Sequence, residues 1–188
     1  HLVEATKDLQ TILSTHHYED AVIYGHALEG NYHFIINQKF DTQEEISRYE
    51  ALMDDVVSMV IDKYNGSLKA EHGTGRNMAP FVKKEWGEKI YSLMKEVKHL
   101  FDPDNILNPG VIFNEDPKCH ISNLKPLVKC HPLVDKCIEC GFCEVNCVTC
   151  GFSLSSRQRI VIQREISRLQ TTHEDDYKLN TLISEFKY

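Results

Sequence analysis

Four cysteines, Cys137, Cys140, Cys143 and Cys147, follow a C-x2-C-x2-C-x3-C pattern, and this run constrains the chain more than any other feature. Thiolates at that spacing wrap three corners of a cubane cluster in one tight loop, and the fourth leaves on the segment that follows. Gly141 permits the sharp turn that brings amide hydrogens toward the sulfurs. In two-cluster arrangements the fourth cysteine serves the other centre. Cys137, Cys140 and Cys143 would then bind one 4Fe-4S centre, and Cys147 would help to bind a second. No cysteine follows Cys150. Either the partner quartet lies downstream, or Cys147 or Cys150 completes a single cluster. Val148 stands where such runs usually carry proline. Tetrahedral zinc is the competing use of CxxC pairs, and unligated thiols are the third.

A disulfide framework fits poorly. The chain has 7 cysteines, none before Cys119, and five of them lie between Cys137 and Cys150. Such clustering reads as metal binding in a reducing compartment. Cys119 and Cys130 have no motif partners and read as ordinary thiols. The chain opens at His1 directly in helical periodicity (Leu2, Val3, Ala5, Leu9, Ile12, Leu13). This reads as a piece of a longer polypeptide without a secretory signal. No apolar run approaches the roughly 18 residues of a membrane span. A cytoplasmic location is expected, at most peripheral to the inner face of a membrane. With 28 acidic against 21 basic residues and a net charge of −7, general nucleic-acid binding is excluded as the main function.

Periodicity organises the 188 residues. An amphipathic helix is expected over 2–16 and paired strands over 20–28 and 31–40. Thr42 and Glu45 form a capping box for a helix running to about Tyr64, closed by Asn65-Gly66. A short strand is expected at 67–70, then a turn. Pro80 opens the next helical segment, and a helix over 86–101 is stopped by Asp102-Pro103-Asp104-Asn105. This order predicts an α+β fold with an antiparallel sheet covered by helices over residues 1–113. Pro117, Pro126 and Pro132 mark a linker over 114–136. Residues 137–188 read as a small, truncated all-α iron–sulfur segment. Its first helix is capped by Ser155 or Ser156, and its last runs over 175–186. Arg157, Arg159, Arg164 and Arg168 read as a solvated face.

A second constellation lies upstream. In Gly25-His26-Ala27-Leu28-Glu29-Gly30-Asn31-Tyr32-His33, the two histidines flank a tight bend. A hairpin would bring their rings together, and neutral imidazoles suit a divalent transition metal. Glu71, in Glu71-His72-Gly73, could add a carboxylate oxygen. Two histidines and one carboxylate leave coordination positions open for substrate. Paired loop histidines are also common without a metal, and His1, His16, His17, His99 and His173 read as surface residues. Gly73-Thr74-Gly75 alone is a weak phosphate-loop signal.

GHALEGNYHF (25–34), KAEHGTGR (69–76) and LFDPDNILNPGVIF (100–113) together resemble the C-terminal part of FAD-linked oxidases. This is the vanillyl-alcohol-oxidase-like group that contains D-lactate dehydrogenase, glycolate oxidase and D-2-hydroxyglutarate dehydrogenase. The following CIECGFCEVNC resembles the subgroup fused to a ferredoxin-like electron-transfer module. The resemblance implies that His26, His33 and Glu71 hold a divalent metal, zinc by expectation, and that His72 contacts substrate and acts as base. It also implies that Asn108 lies near the flavin, and that FAD is bound mainly by an upstream domain. A downstream iron–sulfur segment of the same polypeptide is implied too. The family pattern reads GHxGDGNxH; Leu28 and Glu29 replace its Gly and Asp, and Ile35 replaces a frequent Asn. The expected activity is oxidation of a 2-hydroxy acid to the 2-oxo acid, with electrons passing from FAD through 4Fe-4S centres to a quinone or redox protein. The competing readings are a non-catalytic electron-transfer or docking module whose His/Glu group is structural, and a zinc-stabilised interaction domain.

Overall fold

Helix α1 (Leu2–Thr15) presents Leu9 and Leu13, four residues apart and therefore on one face, to α2 (Gln43–Ser58). Leu52, Val56 and Met59 answer from the α2 side, and Tyr18 closes the cluster. The Arg48 guanidinium sits 4.6 Å from the Tyr18 ring centroid, so the charge lies over the aromatic face. The computed structural model describes residues 1–124 and 127–186. It divides into two compact units, the first ending at Leu124. Pro126 of the expected linker lies outside the described residues, while 114–124 belong to the first unit.

The Thr42 cap forms as expected, its hydroxyl accepting from the Glu45 N–H at 3.3 Å. The reciprocal arm is displaced, because the Glu45 carboxylate accepts from Asp41 N–H rather than from Thr42. α2 then loosens into a π-helical turn, Met59–Lys63. Asn65, not Gly66, takes the left-handed conformation that ends it, with φ of 50°.

The strands are shorter than expected. β1 (Val22–Tyr24) and β2 (His33–Ile35) pair antiparallel with Tyr24 opposite His33. The segment at 67–70 is not a strand: the Ser67 hydroxyl and Leu68 N–H donate to the Glu85 carboxylate at 2.7 and 3.1 Å instead of joining a ladder. The sheet of this unit is therefore a two-stranded ribbon among the described residues, with helices supplying most of the core.

α3 (Val82–Phe101) follows a 3-10 turn, Ala79–Phe81, that contains Pro80. Gly87 interrupts it with φ of 74° and ψ of 163°, so the regular helix begins just after. Asp102 stops it: the carboxylate accepts from Ile106 and Leu107 N–H at 2.8 and 2.9 Å and pairs with Lys98. The Lys98 ammonium and these amides hold the Asp102 carboxyl below its usual range.

Residues 115–122 pack back on the unit and bury Cys119 and His120. The Cys119 thiol donates to the Arg76 carbonyl. His120 packs edge-on with Phe81, and neither ring nitrogen has a hydrogen-bond partner among the described residues. Burial pushes its imidazole below the usual range, against the pull of Glu50, Asp54 and Asp116. The unfolded chain takes up a proton near pH 6.5 that the folded chain refuses, so stability falls as pH drops below about 6.5. Urea melts between pH 7.5 and 5 should show this fall. His120→Phe should flatten it, and an unaltered profile would refute the assignment.

The second unit holds α4 (Ser156–Thr172) and α5 (Asp176–Glu185). Ser155 makes a complete capping box with Gln158, at 3.3 and 2.8 Å. Glu165 fastens the two helices through Arg168 and Lys178, which push its carboxyl down to about 2. The expected solvated arginine face is corrected at Arg164, which is buried. Among the described residues no helix is long and apolar enough to cross a membrane.

Candidate metal centre and cysteine loop

The turn between β1 and β2 is built by backbone bonds from Glu29 and Asn31 N–H to the His26 carbonyl at 3.0 and 3.4 Å. Asn31 locks it, its side-chain oxygen accepting from His26 N–H at 3.0 Å. Gly25 is required at the crossing: a Cβ there would meet the Asn31 carbonyl oxygen at 2.2 Å. Gly25→Ala must therefore open the turn that joins the two histidines. A stability loss of about 1–3 kcal/mol together with weakened metal binding is expected. Thermal melts and metal titration check both, and a variant with unchanged metal affinity would contradict the geometry.

The turn ends with His33, first residue of β2, whose ring stacks on Tyr24 at a centroid distance of 5.1 Å. Glu71 comes from the loop after 67–70. Its Oε1 lies 3.2 Å from His26 Nε2 and 3.3 Å from both His33 Nε2 and His72 Nε2. Donor atoms of His26, His33 and Glu71 all lie within 4.8 Å of one another. The His26 imidazole, with His72 and His33 beside it, holds the Glu71 carboxyl below its usual range. His33 Nε2 is buried and has no hydrogen-bond partner among the described residues. An orphaned nitrogen aimed at two other donors is what a metal ligand looks like before its ion is added, so this donor set fits a divalent metal.

His72 borders the set and remains largely exposed, free to face a ligand. Asn108 sits in its own turn, with φ of 45° and its carbonyl accepting from Val111 N–H, and Ile112 N–H donates to the Gly75 carbonyl at 3.4 Å. The 108–113 segment thus lies against the loop that carries His72. Tyr24 and Asn31, which orient His33 and His26, were missed from sequence; Asn31 was visible only as part of the motif. A cleft of about 640 Å³ adjoins the site, with Glu29 and Glu71 on its wall and Leu9, Phe34 and Val57 inside.

In the second unit the cysteine sulfurs collect hydrogen bonds. Glu139 N–H donates to Cys137 Sγ at 3.3 Å, and the Ser156 hydroxyl donates to Cys143 Sγ at 3.2 Å. Bonds from the Thr149 hydroxyl and from the Thr149 and Ser156 amides bring the Cys147 thiol down to about 7. Glu139 and Gly141 both take the left-handed conformation, with φ of 61° and 84°. Cys140, Cys143 and Cys150 are exposed. Tetrahedral zinc holds its sulfurs roughly 3.8 Å apart, given Zn–S bonds of about 2.3 Å. Among the described residues no three cysteine sulfurs lie within 4.8 Å of one another. The donors that bond to sulfur in this loop suit metal-bound thiolates, whether of zinc or of an iron–sulfur cluster.

This ribbon-and-helix unit brings two histidines of the hairpin and a glutamate of a later loop together, a donor set that fits a divalent metal. The sequence profile described as FAD linked oxidases, C-terminal domain, matches residues 1–112, and the chain belongs to that family. It is 33% identical over 95 residues to a glycolate oxidase subunit of Bacillus subtilis, covering 50% of this chain and 20% of that protein. It is 32% identical over 109 residues to a D-2-hydroxyglutarate dehydrogenase of Stutzerimonas stutzeri, covering 57% and 24%. A mitochondrial D-lactate dehydrogenase [cytochrome] of Kluyveromyces lactis is 35% identical over 99 residues, covering 52% and 16%. The chain spans about a fifth of the length of these relatives. No solved structure matches.

Proposed function

We propose that this chain is the metal-bearing part of an FAD-dependent dehydrogenase that oxidises a 2-hydroxy acid to the 2-oxo acid. Electrons then leave through 4Fe-4S centres to a quinone or redox protein. The observation that carries the reading is the meeting of His26, His33 and Glu71 on one small volume with His72 at its border. Relatives named for glycolate, D-lactate and D-2-hydroxyglutarate support the substrate class. The donor set of two imidazoles and one carboxylate suits zinc.

When bound, the metal supplies Lewis acidity to the hydroxyl and carboxylate oxygens, and the flavin supplies a hydride acceptor. The chain's own contribution is positional. His26 and His33 present ring nitrogens, and the His26 hydrogen bond, with the neighbouring imidazoles, holds the Glu71 carboxyl below its usual range. His72 receives the substrate's hydroxyl proton at Nε2, where Glu71 Oε1 lies 3.3 Å away to stabilise the imidazolium. Asn108 sits on the segment returned toward this loop and would lie beside the flavin supplied by the upstream domain. Cys137, Cys140 and Cys143 would hold one cluster; Cys147 or Cys150 would complete it, or Cys147 would serve a second. The chain would act in the cytoplasm, at most peripherally on a membrane.

The test is expression of the full polypeptide with its flavin domain, followed by a panel of D-lactate, glycolate and D-2-hydroxyglutarate. Flavin bleaching by at least one acid is expected. Bleaching by none would leave the docking-module reading in its place.

A further inference from the structure

Arg164 is the one charged side chain of α4 that turns inward. Its side chain is 6% exposed, and burying a guanidinium costs several kcal/mol unless it is well paired. Its hydrogen bonds go to residues 134–139, at the start of the cysteine loop, while Nε is buried with no hydrogen-bond partner among the described residues. Nη1 donates to Glu139 Oε1 at 2.8 Å, and Nη2 donates to the Cys137 carbonyl at 2.7 Å and the Val134 carbonyl at 3.4 Å. Glu139 is itself 10% exposed at the side chain. Its amide, set by a left-handed φ of 61°, donates to Cys137 Sγ. One planar fork therefore grips the chain on both sides of Cys137 and fixes the residue whose N–H points at that sulfur.

We propose that Arg164 is a positioning residue for the iron–sulfur centre, shaping the Cys137–Cys140 turn and raising the centre's reduction potential, with Glu139 as the opposing charge. This rests on the cluster reading under Proposed function. Reduction adds one electron to a centre that thiolates already make negative. A fixed cation in a poorly screened environment favours the reduced form, and a fixed anion favours the oxidised form. Net charge and hydrogen bonds to sulfur are both levers on the potential, and the Arg164–Glu139 pair supplies one of each.

The two charges predict opposite signs. In the full-length holoprotein, reconstituted anaerobically, Arg164→Gln should shift the potential negative and lose part of its iron. Glu139→Gln keeps the buried cation and should shift it positive. Arg164→Lys keeps the charge without the fork and should recover potential better than iron content. Arg168→Gln, whose guanidinium bonds Glu165 and Glu174, is the control and should move neither. Iron and sulfide per chain, a spectroscopic redox titration and amide exchange at 137–141 are the readouts. If Arg164→Gln cannot hold a cluster, the positive shift in Glu139→Gln carries the test. Loaded variants at the wild-type potential would overturn the inference while leaving the cluster in place. A wild-type protein without iron would instead overturn the cluster reading, and with it the effect on potential. Unchanged amide protection in Arg164→Gln would then dispose of the clamp as well.

Discussion

Glu71→Gln in the full-length protein should cost at least about 100-fold in divalent-metal affinity, beyond the roughly 10–100-fold that follows from removing a mere supporting partner of a ligand. One oxygen, Glu71 Oε1, lies within 3.3 Å of three imidazole nitrogens. The amide of Gln keeps the shape but removes the anion, so the ion meets neutral donors only. It can also turn its NH2 toward His33 Nε2, satisfying by hydrogen bonding the nitrogen that otherwise lacks a partner. Both effects oppose metal binding. Metal content after dialysis, measured beside turnover with a 2-hydrxy acid, checks the prediction. A Gln variant that retains its metal would show that the carboxylate is not a ligand.

His72→Ala should lower turnover by about 10²–10⁴-fold, the range for loss of a positioned acid–base group. Metal and flavin should both stay bound. His72 stands next to Glu71 in sequence, yet its ring is largely exposed and packs on His33 only through an edge contact at 5.2 Å. It has the freedom to face a substrate that His33, held by Tyr24 and β2, does not. The comparison with Glu71→Gln separates roles. If His72→Ala loses metal to the same degree, His72 is a fourth ligand and the base assignment fails.

Much of the architecture was legible as local chemistry. Thr42, Ser155 and Asp102 act within a few residues of themselves, and their caps and stops formed where the chain places such groups. The meeting of His26 and His33, the candidate metal donors, was legible as a motif, because residues 25–33 needed only a hairpin to bring them together. The strand expected at 67–70 failed for a nonlocal reason. Its residues are compatible with extension, but the Glu85 carboxylate takes the hydrogen bonds that a ladder would use.

The sequence by itself determined the capped starts at Thr42 and Ser155 and the hairpin spacing of His26 and His33, because each depends on groups a few residues apart. Tertiary structure decided that one Glu71 oxygen meets nitrogens from a hairpin some 40 residues earlier, and that Arg164, patterned like the half-buried arginines of the same helix, points inward to hold Cys137. Those outcomes depend on which surfaces exclude water together. A periodic pattern records that a residue shares a helix face, but the energy of burying a charge is settled by the partners waiting there.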